Sequence, residues 1–276
     1  MLRRYLLYLK KHPLVTAALA IVYAMVCLKS LPGETFFRAM LLRTLLCGAM
    51  IFFLYQVSGE KTLLSSYNST GYVVKVAMGF WIFALPCGLL ALFMSMGQEL
   101  PTWDNVPLQM LCLFLMFLFV GLFEEMAFRA VINDAIVCRF REKKHVFLLS
   151  GICCSLVFGA AHVIGADLST PLAWGQAVGK TVSCAVFGLA LLVLYWKTRN
   201  IWACGVVHGV YDFLLSFADG IYQKGSIGTS YVMPDEAALP VIIVYCVTTV
   251  IELGLFWIVW RKVGRKIDFE EMRRTW

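Results

Sequence analysis

Charged residues are scarce in this chain. Asp, Glu, Lys and Arg make up 15% of its 276 residues, hydrophobic residues make up 61%, and the mean hydropathy is +0.78. A soluble globular domain carries about 25% charged residues and about 45–50% apolar ones. The composition therefore excludes a soluble domain and predicts a multi-pass protein of the cell membrane.

Several motifs of metal, redox and nucleophilic chemistry are absent from the sequence. The ten cysteines form no CxxC pair, so neither a zinc knuckle nor a redox motif is indicated. There is no HExxH sequence and no serine in a nucleophile-elbow setting, which excludes two common protease types. The cysteines lie in apolar runs or at their ends, and we interpret them as small packing residues.

The net charge of +7 does not point to nucleic acid, because the basic residues form short clusters between apolar runs rather than one basic patch. Such clusters are typical of contacts with anionic lipid headgroups, and they set the orientation of a membrane protein. Most of them fall on one side if an even number of spans leaves both termini in the cytoplasm. We therefore expect membrane lipids, and no nucleic acid, as partners.

Apolar runs predict the fold class. A helix needs about 20 apolar residues to cross a bilayer, and eight runs approach that length. They predict an all-α, polytopic membrane helix bundle with about eight transmembrane helices in a single domain over residues 1–276, and with its functional motifs at about 107–218. The fourth helix is expected to continue to about Cys138 or Arg139. The eight runs lie at 14–29, 39–57, 72–96, 107–132, 146–165, 172–196, 201–218 and 239–260.

Two adjacent carboxylates interrupt the fourth run. Glu124, Glu125 and Arg129 lie within the otherwise apolar stretch FVGLFEEMAFRAVI. Ionisable groups in hydrocarbon are costly unless they are paired or line a wet cavity, so they are functional candidates. Glu125 and Arg129 are four residues apart and suited to an ion pair on one helix face, which leaves Glu124 to act. The alternative is a purely structural ion pair that locks two helices together.

Two histidines and an aspartate add to this group. His162 follows Phe158 by four residues, and His208 precedes Asp212 by four, so His208 and Asp212 share a helix face. A carboxylate in a low-dielectric pocket can activate water as a general base and then act as an acid. Imidazoles can position that water directly or through a divalent metal such as zinc, with His162 and His208 as the candidate ligands.

Three short motifs in chain order carry a resemblance to a known family. Glu124-Glu125-x-x-x-Arg129, Phe158-x-x-x-His162 and His208-x-x-x-Asp212 resemble the successive motifs of the CPBP family of CAAX proteases and bacteriocin-processing enzymes. The resemblance implies an intramembrane endopeptidase that cleaves a peptide or protein substrate, dependent on glutamate and with metal dependence left open. It implies that Glu124 activates water, that His162 and His208 position it, and that Glu125 and Arg129 support the site.

Asp212 departs from the family pattern, because many members carry Asn at this position as a hydrogen-bond donor to the oxyanion. An ionised Asp cannot donate, so Asp212 is protonated, orients His208 or binds a metal. Two other functions also fit the embedded polar residues. One is a proton- or ion-coupled transporter, and the other is a non-enzymatic immunity protein that binds a peptide.

Further along the chain, Gly175 to Thr181 resembles a phosphate-binding loop but is one residue short and lies in an apolar run. Its Gly175-xxx-Gly179 spacing instead predicts close packing between helices. Lys180 and Glu252 are the remaining embedded charges; each could pair with another span, and we assign neither a catalytic role.

Overall fold

The computed structural model describes residues 2–30, 35–59, 62–63, 70–97, 106–222 and 231–275. The regular secondary-structure elements in these ranges are all helices, as the apolar runs predict. They are α1 (Leu2–Lys11), α2 (Pro13–Ser30), α3 (Phe36–Ser58), α4 (Thr70–Ser95), α5 (Val106–Glu125), a π-helix (Met126–Ile132), α6 (Asn133–Phe140), α7 (Val146–Ala161), α8 (Pro171–Thr198), α9 (Ile201–Tyr222), α10 (Asp235–Lys262), a 3₁₀ turn (Gly264–Lys266) and α11 (Phe269–Thr275).

The number of span-length helices differs from the eight that the sequence predicts. In the described part of the chain, six helices are long and apolar enough to cross a membrane. A seventh crossing is added if α1 and α2, which are bent by 106° at their junction, count as one span. The remaining apolar run forms α7, whose 16 residues extend about 24 Å at 1.5 Å per residue, less than the roughly 30 Å of a bilayer's hydrocarbon core.

Large apolar side chains point outward from the span-length helices. Ile82 and Phe93 on α4 are 66% and 69% exposed, and Val250 on α10 is 68% exposed. Such exposure would be unfavourable in water but is expected where a helix faces lipid. The fold is therefore a helical membrane bundle, while the cytoplasmic placement of both termini stays a prediction.

The helices group into two compact units. A single membrane domain over residues 1–276 stays a prediction. Unit 1 contains α1 to α6, with the π-helix, and α9. Unit 2 contains α7, α8, α10 and α11. Glu124, Glu125, Arg129, His208 and Asp212 all lie in unit 1, whereas His162 lies in unit 2.

Unit 1 is built around α5 and α9, which run antiparallel. Gly220 near the end of α9 meets Leu113 near the start of α5, and Gly205 near the start of α9 meets Leu122 near the end of α5. On its other side α9 contacts α4, where Trp81 Nε1 donates to the Val207 carbonyl oxygen at 3.0 Å. These contacts leave the middle of α9 enclosed by apolar helices.

The π-helix continues α5 without a break into α6, so that one helical span runs from Val106 to Phe140. The prediction that this helix extends beyond residue 132 is confirmed. The α5 part of this span lies beside α3, where Cys47 Sγ donates to the Phe119 carbonyl oxygen at 3.2 Å. Nearer the start of both helices, Phe36 is buried in an apolar core with Cys112, Leu113 and Met116.

Unit 2 confirms the predicted packing role of Gly175 and Gly179. A Cβ atom on Gly175 would lie 3.0 Å from Ile242, and one on Gly179 would lie 3.0 Å from Tyr245, both on α10. These short distances mean that α8 and α10 approach closely where the glycines lack side chains.

The two embedded charges of unit 2 have partners on other segments. Buried Glu252 on α10 accepts a hydrogen bond from Ser183 Oγ of α8 at 2.6 Å. The Lys180 ammonium lies 4.1 Å from the centroid of the Tyr231 ring, a cation–π contact. Glu252 thus contacts another span, whereas Lys180 contacts Tyr231, which lies in the segment before α10.

Candidate active site

The predicted ion pair lies at the junction of α5 and the π-helix. Arg129 Nε is 3.3 Å from Glu125 Oε2, and the two side chains are 2% and 0% exposed. The spacing of four residues places both groups on one face of the helix. The guanidinium can only donate, so the Glu125 carboxylate accepts in this contact.

His208 from α9 joins this pair. Its Nδ1 atom lies 2.9 Å from Glu125 Oε1, and its ring is 2% exposed. Because Glu125 acts as an acceptor, Nδ1 carries the hydrogen of this bond. The contact fixes the orientation of the imidazole and directs Nε2 away from Glu125.

Two further carboxylates lie near His208 Nε2. Asp212 Oδ2 is 3.3 Å away, as the spacing of four residues predicts, and Glu124 Oε2 is 3.7 Å away. The side chains of Glu124 and Asp212 are 20% and 24% exposed, whereas Glu125 is completely buried. The site therefore has a closed side, formed by Glu125 and Arg129, and an open side, formed by Glu124 and Asp212.

Glu124 differs from its neighbour in its contacts as well. Within the described residues, neither Glu124 Oε2 nor Glu125 Oε2 has a hydrogen-bond partner. Glu125 nevertheless contacts Arg129 Nε at 3.3 Å and His208 Nδ1 at 2.9 Å, whereas Glu124 Oε2 lies 3.7 Å from His208 Nε2. A buried polar atom without a partner is unfavourable unless water, a proton or a ligand satisfies it. The two adjacent glutamates thus have different environments, one held between two side chains and one available.

Glycines explain why α9 can bring His208 so close to α5. A Cβ atom on Gly209 would lie 2.6 Å from both Leu118 Cα and the Phe117 carbonyl oxygen, and one on Gly121 would collide with the backbone of Gly205 and Gly209. Gly205 and Gly209 flank His208 with the spacing GxxxG, which permits close approach of helix backbones. The sequence interpretation overlooked this motif, although its spacing was a usable signal.

The π-helix could not be anticipated from the sequence. It begins directly after Glu125 and includes Arg129. Short π-helical segments inside α-helices occur frequently at functional sites, since the wider turn re-aims side chains. Here it lies where the two glutamates and the arginine must project toward α9.

His162 belongs to unit 2 and is described with that unit. Its Nδ1 atom lies 2.9 Å from the Phe158 carbonyl oxygen, which is four residues earlier on α7. Because a carbonyl oxygen only accepts, Nδ1 carries the hydrogen, and Nε2 is an acceptor when the ring is neutral. The ring also packs edge-on against Phe158 and contacts Tyr231.

The two suggested zinc ligands belong to different units, His208 to unit 1 and His162 to unit 2. Throughout the ranges that the structure describes, no group of three or more His, Cys, Asp or Glu side chains has a geometry that could hold a metal ion. His208 Nδ1, one of the two candidate donors of that residue, is engaged by Glu125. A metal at His162 and His208 therefore remains a sequence-based prediction without support from the site geometry.

Comparison with known proteins identifies the motif-bearing region. Residues 106–214 match the model of the family described as type II CAAX prenyl endopeptidase Rce1-like. No curated protein and no solved structure matches the chain. The matched residues run from the start of α5 into α9 and include all six predicted site residues. This match supports the predicted resemblance: over residues 106–214 the chain is similar to the CPBP family of CAAX-type intramembrane endopeptidases.

Proposed function

We propose that this protein cleaves a peptide bond near the surface of the cell membrane by direct attack of water, with Glu124 as the general base. The observation that carries the proposal is the unequal state of the two adjacent glutamates. Glu125 is completely buried between Arg129 and His208. Glu124 is 20% exposed, and its contact with His208 Nε2 is longer, at 3.7 Å.

The proposed reaction needs one carboxylate that can accept and return a proton. Glu124 takes a proton from water as the water oxygen attacks the carbonyl carbon of the substrate. The same proton is then transferred to the nitrogen of the leaving amine as the C–N bond breaks. The enzyme forms no covalent bond to the substrate, and Glu124 returns to its ionised state.

His208 is proposed to position the attacking water. Its Nε2 atom lies 3.7 Å from Glu124 Oε2, so one water molecule beside both atoms can contact the base and the imidazole. Glu125 holds the ring through Nδ1, and Arg129 holds Glu125. This chain of contacts pre-orients the imidazole, so little reorganisation is needed during the reaction.

Asp212 and His162 complete the proposal. Of the three roles considered for Asp212, orientation of His208 is favoured, since its Oδ2 atom lies 3.3 Å from His208 Nε2. His162 keeps the water-positioning role that the family resemblance implies. His162→Ala and Asp212→Leu test these two roles separately from the base.

The decisive experiment compares Glu124→Gln with Glu125→Gln in purified protein, using a peptide library with and without a chelator. Glutamine preserves size but cannot act as the base, so Glu124→Gln should lower kcat by at least about 10²-fold without lowering thermal stability. Glu125→Gln should lower both kcat and thermal stability, because it removes a buried charge that Arg129 and His208 face. Breaking such a buried pair costs about 3–5 kcal/mol.

Glu142→Gln is a matched control, because Glu142 is 89% exposed and contacts only surface Arg141 among the described ion pairs. It should leave cleavage and stability unchanged. Cleavage that persists in Glu124→Gln would refute the base assignment. Binding of peptides without hydrolysis by the wild type would favour the non-enzymatic function, and loss of cleavage with a chelator would restore the metal hypothesis.

A further inference from the structure

A second buried polar cluster lies in unit 1, away from the candidate active site. Asp134 on α6 is completely buried and binds both terminal nitrogens of Arg199, with NH1–Oδ1 and NH2–Oδ2 distances of 3.2 and 2.9 Å. Asp134 also accepts hydrogen bonds from Ser58 Oγ at 2.5 Å and from Asn133 Nδ2 at 2.9 Å. A two-point contact between guanidinium and carboxylate restrains direction as well as distance.

The same cluster anchors the start of α9. Arg199 has φ of 52°, a left-handed conformation that non-glycine residues adopt rarely. Asn200 caps α9, since its Oδ1 atom accepts from Ala203 N at 3.0 Å, and its Nδ2 atom donates to Thr70 Oγ1 at 3.3 Å. A backbone held in an uncommon conformation at a helix start indicates that its surroundings determine its position.

The cluster and the active site are separated by the same number of residues in both segments of the chain. Asp134 follows Glu125 by nine residues, and Arg199 precedes His208 by nine residues. Because α5–α6 and α9 run antiparallel, the Asp134–Arg199 and Glu125–His208 contacts both require the same alignment of α9 along α5–α6. A slip of one residue would move α9 by about 1.5 Å and rotate it by about 100°, which would separate His208 from Glu125.

We propose that the Asp134–Arg199 pair is a positioning clamp that sets the register of α9 and so holds His208 against Glu125. The catalytic consequence of the clamp rests on the proposed function, whereas its effect on His208 does not. Neither Asp134 nor Arg199 touches the reacting atoms; both act through the position of α9. Thr62 extends the clamp by accepting a hydrogen bond from Arg199 NH2 at 2.5 Å.

The test measures ring ¹⁵N NMR signals of His208 in full-length protein labelled at histidine, assigned with His208→Asn, together with peptide cleavage. The variants are Asp134→Asn, Arg199→Gln and the double variant. Each should shift the His208 Nδ1 signal and lower kcat by about 10- to 10²-fold with little change in KM, since an ångström-scale displacement is enough for such losses. The double variant should lose no more than either single one.

Phe36→Ala serves as the control, since buried Phe36 packs in the apolar core at the opposite end of α5. It should lower the melting temperature while leaving the His208 signals and the kcat of the folded protein at wild-type values. Arg199→Lys keeps the charge and one hydrogen bond, so it is the mildest of these changes, and its His208 signals should lie between those of the wild type and of Arg199→Gln.

His208 ring signals that stay at wild-type values in Asp134→Asn, Arg199→Gln and Arg199→Lys would overturn the clamp, whatever the activities are. Failure of the proposed function gives a different result. In that case Glu124→Gln still cleaves peptides, and the His208 signals continue to report whether the clamp acts.

Discussion

Replacing Gly209 by alanine is expected to force α5 and α9 apart and to disable the active site. The added Cβ atom would lie 2.6 Å from Leu118 Cα and from the Phe117 carbonyl oxygen. Both are backbone atoms, so neither can rotate away as a flexible side chain would. Favourable contacts between carbon atoms begin at about 3.5 Å, so the helices must separate by about 1 Å.

This displacement is large compared with the tolerance of the site. Moving α9 outward by about 1 Å would lengthen the 2.9 Å contact between His208 Nδ1 and Glu125 Oε1 beyond hydrogen-bonding distance. We expect kcat to fall by about 10²-fold and the stability to fall by about 1–3 kcal/mol, as for other overpacked cores. Peptide cleavage and thermal unfolding in the same detergent measure the two effects.

Gly48→Ala is the matched control within unit 1, because nothing lies within 4 Å of the Cβ atom it would add to α3. Alanine is favoured over glycine inside a helix by about 0.5–1 kcal/mol, so this variant should be as active as the wild type and slightly more stable. Wild-type activity and stability in Gly209→Ala would refute the reasoning, since they would show that α5 and α9 are not in backbone contact at this point.

Three further predictions concern single contacts. Asp212→Asn should keep cleavage within about tenfold of the wild type, because the amide oxygen can still accept from His208, whereas Asp212→Leu should lose about 10²-fold; kcat measurements distinguish them. Gly179→Val should lower the stability of unit 2 by about 1–3 kcal/mol, measured by thermal unfolding, because its side chain would overlap Tyr245. Asn200→Ala should cost about 0.5–2 kcal/mol through loss of the helix cap, and an unchanged melting temperature would contradict that role.

Local spacing in the sequence was enough to predict several features of the site. The Glu125–Arg129 and His208–Asp212 contacts each join residues four apart on one helix, and this separation places side chains on the same face whatever the rest of the fold does. Long apolar runs likewise predicted the membrane helices, because a backbone in hydrocarbon must satisfy its hydrogen bonds internally. The described residues have fewer span-length helices than the eight predicted, because the run at 14–29 forms a helix bent sharply against α1 and the run at 146–165 forms a helix of only 16 residues.

Only the tertiary structure decided which groups meet between helices. The contact of His208 with Glu125, the clamp of Asp134 on Arg199 and the close approach at Gly209 join residues more than 60 positions apart in the sequence. The sequence determined the membrane bundle, the embedded polar residues and their faces on each helix. Which glutamate is held and which is available depends on the register of α5 against α9, and packing of two distant helices sets that register.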